Sequence, residues 1–343
     1  MSILTNVCDT KIEIRCPTRI DFTGGFTDVS PFRNGTKAIH VNAAINLYIN
    51  MDIKLRRDQT IVIYSPLVKN PQKFKAIHDL LKNSHYKFIG KILNKFPLSS
   101  GIEIRTNTEA PMGSGLGSSG SFGTALVAAC HILSRKSNVS DYGEIANLAS
   151  ELENKAGFLG GKQDQFAASF GGINRFEFFK NSWKVCPILI NNNIKKIEEY
   201  LIIAHRGGSR KSSDIVRAVF SKYRNSKDVR STLWKLNNLA FEIEIAIRNS
   251  DLENLVKLFN NVRTLQERLH PRIVNKTCKS LIKKMYGLNV GLKMLGGGGK
   301  GACFLIVSAT KKSHVAAQKI LKMERYVVIP VCFAKTGLRI KIY

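Results

Sequence analysis

The sequence predicts an α+β protein built as two lobes, and three observations support this fold class. Strand-like alternation of apolar and polar residues recurs in the first third, helical periodicity fills 212–286, and strand patterns return towards the C-terminus. The chain has 343 residues, more than the roughly 250–300 at which a single hydrophobic core stops growing. We therefore predict one lobe over 1–190 and a second over 191–343, dividing near 191–196.

The first lobe is predicted to begin with strands and to continue with helices. Alternation is clearest over 45–55, and the predicted strands are 11–15, 45–55, 61–64, 101–105 and 173–178. Helical spacing appears over 72–96 and 122–133. Asp141, with Glu144 three residues later, forms a capping-box pattern that begins a further helix ending at Gly157.

The second lobe is predicted to be mainly helical, with strands at its margins. Its helices are expected over 212–224, 231–248, 252–269, 273–286 and 312–323. Its strands are expected over 201–204, 291–295, 302–307, 326–333 and 337–343. Strands that flank a block of helices are typical of an α+β rather than a regularly alternating α/β arrangement.

Composition excludes several classes of protein. The chain is 44% hydrophobic with only nine prolines, which argues against disorder. No apolar stretch approaches the ~20 residues of a membrane-spanning helix, and we expect no secretory signal at the N-terminus. The seven cysteines form no CxxC pair, which argues against a structural zinc site. Reduced thiols and a cytoplasmic location are the expectation.

The net charge of +28 is high and suits phosphate-bearing partners. The basic residues are scattered along the chain, without a basic tail or a long run of like charge. A solvated basic surface is therefore the simpler interpretation, and a nucleic-acid-binding protein is the alternative from another functional class. A steep dependence of DNA affinity on salt would favour that alternative.

The strongest motif is the Gly/Ser-rich segment 111–121, which lies between a predicted strand and an apolar helix. Closely spaced glycines let backbone N–H groups approach an anion, and a helix N-terminus adds attraction for phosphate. Gly115, Gly117 and Gly120 also match GxGxxG. However, a dinucleotide site needs an acidic residue ending a second strand ~20 positions later, and here Asp141 begins a helix. A flexible Gly/Ser turn is the structural alternative.

A second glycine run follows near the C-terminus. No GxxxxGK[ST] sequence occurs, because Lys300 in this run is followed by Gly301. A Walker A loop is therefore excluded. The histidines show no HxxxH spacing, so each is expected to be structural or exposed rather than catalytic.

Three segments in order resemble the GHMP kinases, the small-molecule kinases that include galactokinase, homoserine kinase and mevalonate kinase. Segment 111–119, with its Gly-Leu-Gly-Ser-Ser, resembles their ATP-binding motif. Segment 16–28 resembles their N-terminal substrate motif, and 295–302 their C-terminal glycine motif. The stretches 160–166, 170–174 and 208–214 are similar to those of the bacterial D-glycero-D-manno-heptose 7-phosphate kinases. Phe26 and Lys300 depart from the pattern, where glycine is more usual.

The resemblance implies a fold and an activity. The expected fold is the two-lobed GHMP kinase fold, with an N-terminal lobe like ribosomal protein S5 and a ferredoxin-like C-terminal lobe. The expected reaction is ATP- and Mg²⁺-dependent phosphorylation of the C1 hydroxyl of D-glycero-D-manno-heptose 7-phosphate, giving the 1,7-bisphosphate. An unphosphorylated sugar such as fucose or galactose is the alternative substrate. Sugar and ATP are the expected partners, with no specific nucleic acid and no membrane insertion.

Chemistry-bearing residues match the family motifs. Asp164, in a Gly-flanked stretch after a helix, is the candidate base, and Arg19 could keep it ionised; the alternative is that Asp164 only caps a helix beginning near Gln165. For magnesium the resemblance points to Ser119 and Glu153, with Glu151 as a competing ligand. The expected ATP-binding residues are Pro111, Gly113, Gly115, Leu116, Gly117, Ser118, Ser119, Gly120 and Ser121.

Substrate contacts are expected at three places. Asp28 could bind sugar hydroxyls, or it could simply form a turn beside two glycines. Arg206, Arg210 and Lys211 precede a predicted helix and could bind the substrate's phosphate, or could form an exposed basic loop. The complete expected set is Thr23, Gly24, Gly25, Asp28, Arg206, Arg210, Lys211, Gly297 and Gly298.

Overall fold

The computed structural model describes residues 10–66, 68–135, 138–189, 194–208, 212–299, 301 and 303–343. It contains two β-sheets with helices packed on them, the mixed architecture that the sequence predicts. None of the helices in this part of the chain is both long and apolar enough to cross a membrane.

The larger sheet has eight strands: β1 (Lys11–Asp21), β2 (Ala38–Leu55), β3 (Ile61–Tyr64), β4 (Gln72–Phe74), β5 (Ile102–Thr108), β6 (Ile173–Phe178), β7 (Trp183–Pro187) and β12 (Arg339–Ile342). The main path runs β12-β1-β2-β5-β3-β4, and β6 pairs with both β2 and β7. The long β2 pairs with β6 through its first part and with β5 through its last, so one strand joins two sections of the sheet.

The second sheet has four antiparallel strands: β8 (Leu201–His205), β9 (Val290–Met294), β10 (Phe304–Ser308) and β11 (Val327–Pro330). Their order is β11-β8-β10-β9. One apolar core extends from these strands to Ile20 and Phe22 at the end of β1. The end of β1 is therefore held between the two lobes, which places the residues that follow it against both.

Twelve helices complete the described fold: α1 (Phe32–Gly35), α2 (Ile77–Lys82), α3 (Lys87–Leu93), α4 (Ser118–Arg135), α5 (Tyr142–Lys155), α6 (Gln163–Phe170), α7 (Ile194–Tyr200), α8 (Ser212–Ser221), α9 (Lys227–Arg248), α10 (Leu252–Leu269), α11 (Lys276–Lys284) and α12 (Lys311–Met323). The predicted cap of α5 is confirmed, since the Asp141 carboxylate accepts hydrogen bonds from the backbone N–H groups of Gly143 and Glu144. Helix α4 begins at Ser118, so the Gly/Ser segment runs directly into a helix N-terminus.

Several elements differ from the sequence prediction, among them the short helices α1 and α7, which it does not include. The helical segment predicted over 72–96 is instead β4 followed by the short helices α2 and α3, because 72–74 pair with β3 and Asn83 at the end of α2 has extended backbone angles. Strand β7 was not predicted. Strand β12 returns to the first sheet and pairs with β1, although it lies within the predicted second lobe. The boundary between 190 and 191 itself stays a prediction.

Candidate active site

A cavity of about 470 Å³ lies where the two lobes meet. The walls come from the segment after β1, the Gly/Ser segment, the C-terminal part of α5, the start of α6, helix α8 and the C-terminal glycine run. Arg19, Asp164, Ser119 and Glu153 all line it, although they are far apart in sequence. The fold thus brings together the predicted base, its cation and both predicted metal ligands.

The Gly/Ser segment forms one wall, through 112–119. Gly113, Gly115 and Gly117 have φ angles of +68°, +81° and +81°, which glycine adopts without steric strain. A Cβ at Gly115 would lie 2.6 Å from the Leu295 carbonyl oxygen, so this segment is packed closely against the C-terminal glycine run. Backbone N–H groups and the start of α4 therefore border the cavity, an arrangement that suits an anion.

Three residues of that motif, Leu116, Gly120 and Ser121, make buried contacts that support the wall. Leu116 is fully buried, and its carbonyl oxygen accepts a hydrogen bond from the backbone N–H of Arg19 at 2.9 Å. Gly120 is packed against the Asp164 side chain, and the Ser121 hydroxyl donates to the Pro17 carbonyl oxygen at 2.7 Å. Pro111, Gly120 and Ser121 do not line the cavity. Their expected roles in ATP binding stay predictions, and what the structure shows is that Gly120 and Ser121 support the loop.

Asp164 and Arg19 form an ion pair at the cavity. Nε and Nη2 of Arg19 lie 2.8 Å and 2.6 Å from Oδ1 of Asp164, and Nη1 donates to the Gly115 carbonyl oxygen. The Arg19 side chain is 4% exposed, whereas that of Asp164 is 29% exposed. Burial raises the pKa of Asp164 and the Arg19 guanidinium opposes that rise. An ionised carboxylate with one oxygen free of Arg19 is a competent proton acceptor.

The position of Asp164 depends on how α6 begins. This helix starts at Gln163, so Asp164 lies in its first turn, and the alternative that Asp164 only caps a helix from Gln165 is wrong. The Asp28 carboxylate instead accepts the backbone N–H groups of Lys162 and Gln163 at 2.8 Å and 2.9 Å. A negative charge at a helix N-terminus is stabilising. Asp28 therefore fixes the start of the helix that carries Asp164.

Asp28 is also tied to the buried His40. The Asp28 side chain is 2% exposed, and its Oδ1 lies 3.4 Å from Nε2 of His40. His40 is fully buried and contacts the hydroxyl of Thr27 at 2.6 Å. Asp28 lines the cavity, so its contact with sugar hydroxyls stays a prediction, but one of its oxygens is already engaged by α6.

Ser119 and Glu153 are in direct contact, since the Ser119 hydroxyl donates to Oε1 of Glu153. The other oxygen, Oε2, accepts a hydrogen bond from Gln165 Nε2 at 2.6 Å. Burial raises the pKa of Glu153 to about 7, and the nearby Asp164 adds to the rise. Glu151, the competing ligand, is exposed, bonded to Asn147 and outside the cavity wall.

These two residues fit a magnesium ion. Hydroxyl and carboxylate oxygens are the hard ligands that Mg²⁺ prefers, and a cation would offset the two crowded carboxylates of Glu153 and Asp164. No group of three or more His, Cys, Asp or Glu side chains suited to a metal occurs within the described residues. A site with few protein ligands is consistent with Mg²⁺, which usually keeps several waters and binds substrate phosphates.

The structure places only some of the expected substrate residues in the cavity wall. Gly25 and Gly297 line the cavity, together with Phe26, Asp28 and Gly296. Thr23 and Gly24 are buried behind Gly25, and Gly298 packs against Ile273. Phe26, which replaces the usual glycine, adopts a φ of +71° and is 4% exposed, so it holds a left-handed conformation within the core.

Arg206 does not line this cavity. It lies at a separate cavity of about 290 Å³, with Asn275, Thr277 and Tyr326, and its guanidinium carbon is 5.6 Å from the centre of the Tyr326 ring. Its predicted partners Arg210 and Lys211 lie outside the described residues, as does Lys300. Among the described residues, Arg19 is the one lysine or arginine in the wall of the main cavity.

Sequence reasoning assigned no role to Gln163 and Gln165, which flank Asp164. Both line the cavity and are almost fully buried, and Gln165 holds Glu153. Their side-chain carbonyl oxygens have no hydrogen-bond partner among the described residues. The available signal was their symmetrical placement around Asp164 in the Lys-Gln-Asp-Gln-Phe stretch.

The chain is similar in sequence to known kinases. Residues 83–172 match the family model for the GHMP kinases N terminal domain. D-glycero-alpha-D-manno-heptose 7-phosphate kinase of Campylobacter jejuni is 28% identical over 343 aligned residues, 96% of this chain and 98% of that protein. The bifunctional fucokinase/GDP-fucose pyrophosphorylase of Arabidopsis thaliana is 26% identical over 91% of this chain, which spans 31% of that protein.

Solved structures show the same fold. A D-glycero-D-manno-heptose 1-phosphate kinase from Bacteroides thetaiotaomicron gives a TM-score of 0.72 at 22% identity, covering 97% of this chain and 99% of that one. Lactococcus lactis galactokinase, solved with galactose, gives 0.73 at 18% identity, covering 97% and 96%. At these identities the likeness establishes the fold alone. The family match identifies residues 83–172 as a GHMP kinase N-terminal domain, and the relatives together with the glycine motifs that meet at one cavity identify the chain as an ATP-dependent sugar kinase.

Proposed function

We propose that this kinase transfers the terminal phosphoryl group of ATP to the anomeric C1 hydroxyl of D-glycero-D-manno-heptose 7-phosphate. The observation that carries the proposal is the Arg19–Asp164 pair, because it lies in one cavity with the glycine segment and the Ser119–Glu153 pair. Phosphoryl transfer requires mainly positioning and charge stabilisation, and these three groups supply both. The Campylobacter jejuni relative supports heptose 7-phosphate as the substrate.

Asp164 is the proposed general base. Its oxygen that is free of Arg19 accepts the proton of the attacking hydroxyl, while Arg19 holds the other oxygen and favours the ionised carboxylate. The side chain has little freedom to move, because Asp28 fixes the start of α6 and Gly120 packs against it. A base held in this way removes the proton at a defined position relative to the glycine segment.

The glycine segment 112–119 is the proposed cradle for the ATP phosphates, with its backbone N–H groups and the start of α4 directed at the charge. Ser119 and Glu153 would hold Mg²⁺, which would supply positive charge to offset the negative charge of the ATP phosphates. Gln165 keeps Glu153 oriented through its 2.6 Å hydrogen bond. Gly25, Phe26, Asp28 and Gly297 form the proposed sugar wall of the same cavity.

A coupled ADP-release assay tests the proposal with heptose 7-phosphate, heptose, fucose and galactose as acceptors. We expect the highest kcat/KM for heptose 7-phosphate, and we expect phosphorus NMR to find the new phosphate at C1. Asp164→Asn preserves volume and a hydrogen-bond acceptor for Arg19, and it should lower kcat by ~10²–10⁴-fold. A variant with wild-type turnover would remove Asp164 from the mechanism.

An unphosphorylated sugar is the second candidate substrate, and one observation favours it. Among described residues the main cavity offers only Arg19 as a fixed cation, and Arg19 is occupied by Asp164, whereas Arg206 faces a different cavity. The Arabidopsis fucokinase relative points in the same direction. Equal kcat/KM for heptose with and without its phosphate, or a preference for fucose, would establish this candidate.

Two expectations about the surroundings accompany the proposal. We expect the reaction to take place in the cytoplasm. We also expect no specific nucleic-acid partner despite the charge of +28. DNA binding that is tight, sequence-selective and steeply dependent on salt would contradict the second expectation.

A further inference from the structure

A lysine of the second lobe is completely buried against the first lobe. Lys293, in β9, donates a hydrogen bond from Nζ to the Asp21 carbonyl oxygen, and Nζ lies 3.6 Å from Oδ2 of Asp21. Both side chains are 0% exposed. Lysine and aspartate are almost never fully buried unless they are paired. Since an apolar pair of similar volume would often be at least as stable, such a pair calls for a reason beyond stability.

Asp21 organises the turn that leads to the sugar wall. Its carboxylate accepts the backbone N–H of Thr23 at 2.8 Å, that of Gly24 at 3.0 Å and the Thr23 hydroxyl at 3.0 Å. The turn needs this support because Gly24 and Gly25 have φ angles of +96° and +75°. A turn of consecutive glycines otherwise samples many backbone conformations.

A second buried polar residue of the same lobe holds the other side of the turn. Gln266, in α10, donates from Nε2 to the carbonyl oxygens of Gly24 at 3.1 Å and Met294 at 3.0 Å. Its Oε1 accepts the Met294 N–H at 3.0 Å, so Gln266 links the turn to β9. Gln266 is 0% exposed, and a Cβ at Gly24 would lie 2.7 Å from Val262 Cγ1 of the same helix.

We propose that Lys293 and Gln266 are positioning residues, contributed by the second lobe, that hold the 23–25 turn in its sugar-binding conformation. The inference rests on the proposed function, because it takes the turn to be part of the sugar wall. Neither side chain lines the cavity, so both act through Asp21 and Gly24. Losing the hydrogen bonds of either side chain weakens sugar binding, because the sugar itself must then order the turn.

The test is the Michaelis constant for each substrate in Lys293→Met and Gln266→Leu, using the acceptor that the wild type phosphorylates best. A hydrogen bond from a charged donor corresponds to about 10- to 100-fold in binding and a neutral one to about 2- to 10-fold. We therefore expect those increases in KM for the sugar, with KM for ATP within about twofold of wild type. Unchanged KM for the sugar, or equal increases for both substrates, would overturn the inference.

Arg175→Met is the matched control. Nε of Arg175 on β6 lies 3.1 Å from Oε2 of Glu244 on α9, so this variant also removes an ion pair between the two lobes. Arg175 does not line the main cavity, and we expect both Michaelis constants to stay unchanged. If Lys293→Met does not fold, Asp21→Asn combined with Lys293→Met leaves no buried charge of the pair and should show the same rise in KM for the sugar.

Amide hydrogen exchange tests this inference independently of the proposed function, because it needs no enzyme activity. The amides of Thr23 and Gly24 should exchange faster in Lys293→Met than in wild type and no faster in Arg175→Met, with or without turnover. Absence of activity on every sugar would refute the proposed function, and the exchange rates would still decide the inference. Exchange as slow as in wild type would show that Lys293 does not hold the turn.

Discussion

Gly161→Ala should disable the kinase although it changes neither the base nor the metal ligands. A Cβ at Gly161 would lie 1.9 Å from Oδ2 and 2.0 Å from Cγ of Asp28. Cβ atoms essentially never approach other atoms within 3.0 Å, so either the carboxylate or the backbone at 161 must move by about 1 Å. Both movements disturb the start of α6, because that carboxylate bonds the N–H groups of Lys162 and Gln163.

The size of the effect follows from those bonds. Hydrogen bonds to a charged acceptor contribute about 1.5–3 kcal/mol each, so losing both N–H bonds costs about 3–6 kcal/mol of unfolding free energy. If the backbone moves instead, Asp164 moves with the first turn of α6. A misplacement of about 1 Å at a reacting group can lower the rate by ~10²-fold. We therefore expect a clear loss of stability, a fall in kcat of that order, or both.

The assay compares Gly161→Ala with Gly160→Ala by thermal unfolding and by ADP release. Gly160 is the matched control, because among the described residues its Cβ would meet only the Phe158 carbonyl oxygen, at 3.9 Å, and its φ is not in the left-handed region. The control places the same methyl group beside the same cavity without the clash. Equal melting temperatures and equal kcat in the two variants would refute the argument that Asp28 positions Asp164 through α6.

Three further predictions concern the cavity and its surroundings. Gly117→Val should raise KM for ATP, because the new Cβ would lie 3.3 Å from Asp164 Cγ and φ is +81°; unchanged ATP affinity in a folded variant would place the phosphates elsewhere. Ser119→Ala should raise the magnesium concentration needed for half-maximal activity, and an unaltered magnesium titration would contradict its role as a ligand. Burial lowers the pKa of Lys162 from 10.5 to about 8, so at pH 7 the buried charge of its ammonium group destabilises the folded protein. Between pH 8 and 10.5 this lysine is protonated only in the unfolded chain, so the unfolding free energy of the wild type rises with pH over that range. Lys162→Met should therefore raise the unfolding free energy at pH 7 by about 1 kcal/mol, and this gain should disappear above pH 10.5. Unfolding curves at several pH values test this, and a variant less stable than wild type at pH 7 would contradict it.

Much of the fold could be predicted because its signals are local. The alternation over 45–55 reports the two-residue repeat of a strand, and it lies within β2. The helix at α5 was predicted together with its capping residue Asp141. The segment 72–96 could not be resolved in the same way, because a three-residue strand and two short helices each leave too few positions for a periodic pattern.

The candidate site likewise contains residues that the sequence could identify and a choice of ligand that only the packing decides. Motif resemblance identified Arg19, Asp164, Ser119 and Glu153, and the structure brings all four to one cavity. The resemblance left Glu151 and Glu153 as alternative metal ligands. Both lie on α5, and only the packing of that helix decides which side chain points into the cavity.

By itself, the sequence determined the fold class, the resemblance to the GHMP kinases and the glycine-rich phosphate cradle that we propose, since backbone sterics and glycine spacing are properties of short segments. The tertiary structure decided which distant groups became neighbours. It alone places Asp28 on the first turn of α6, 134 positions away, and Lys293 on Asp21, 272 positions away. Such pairs leave no periodic trace in the chain, because they arise only when two lobes bury polar groups that must find partners at their interface.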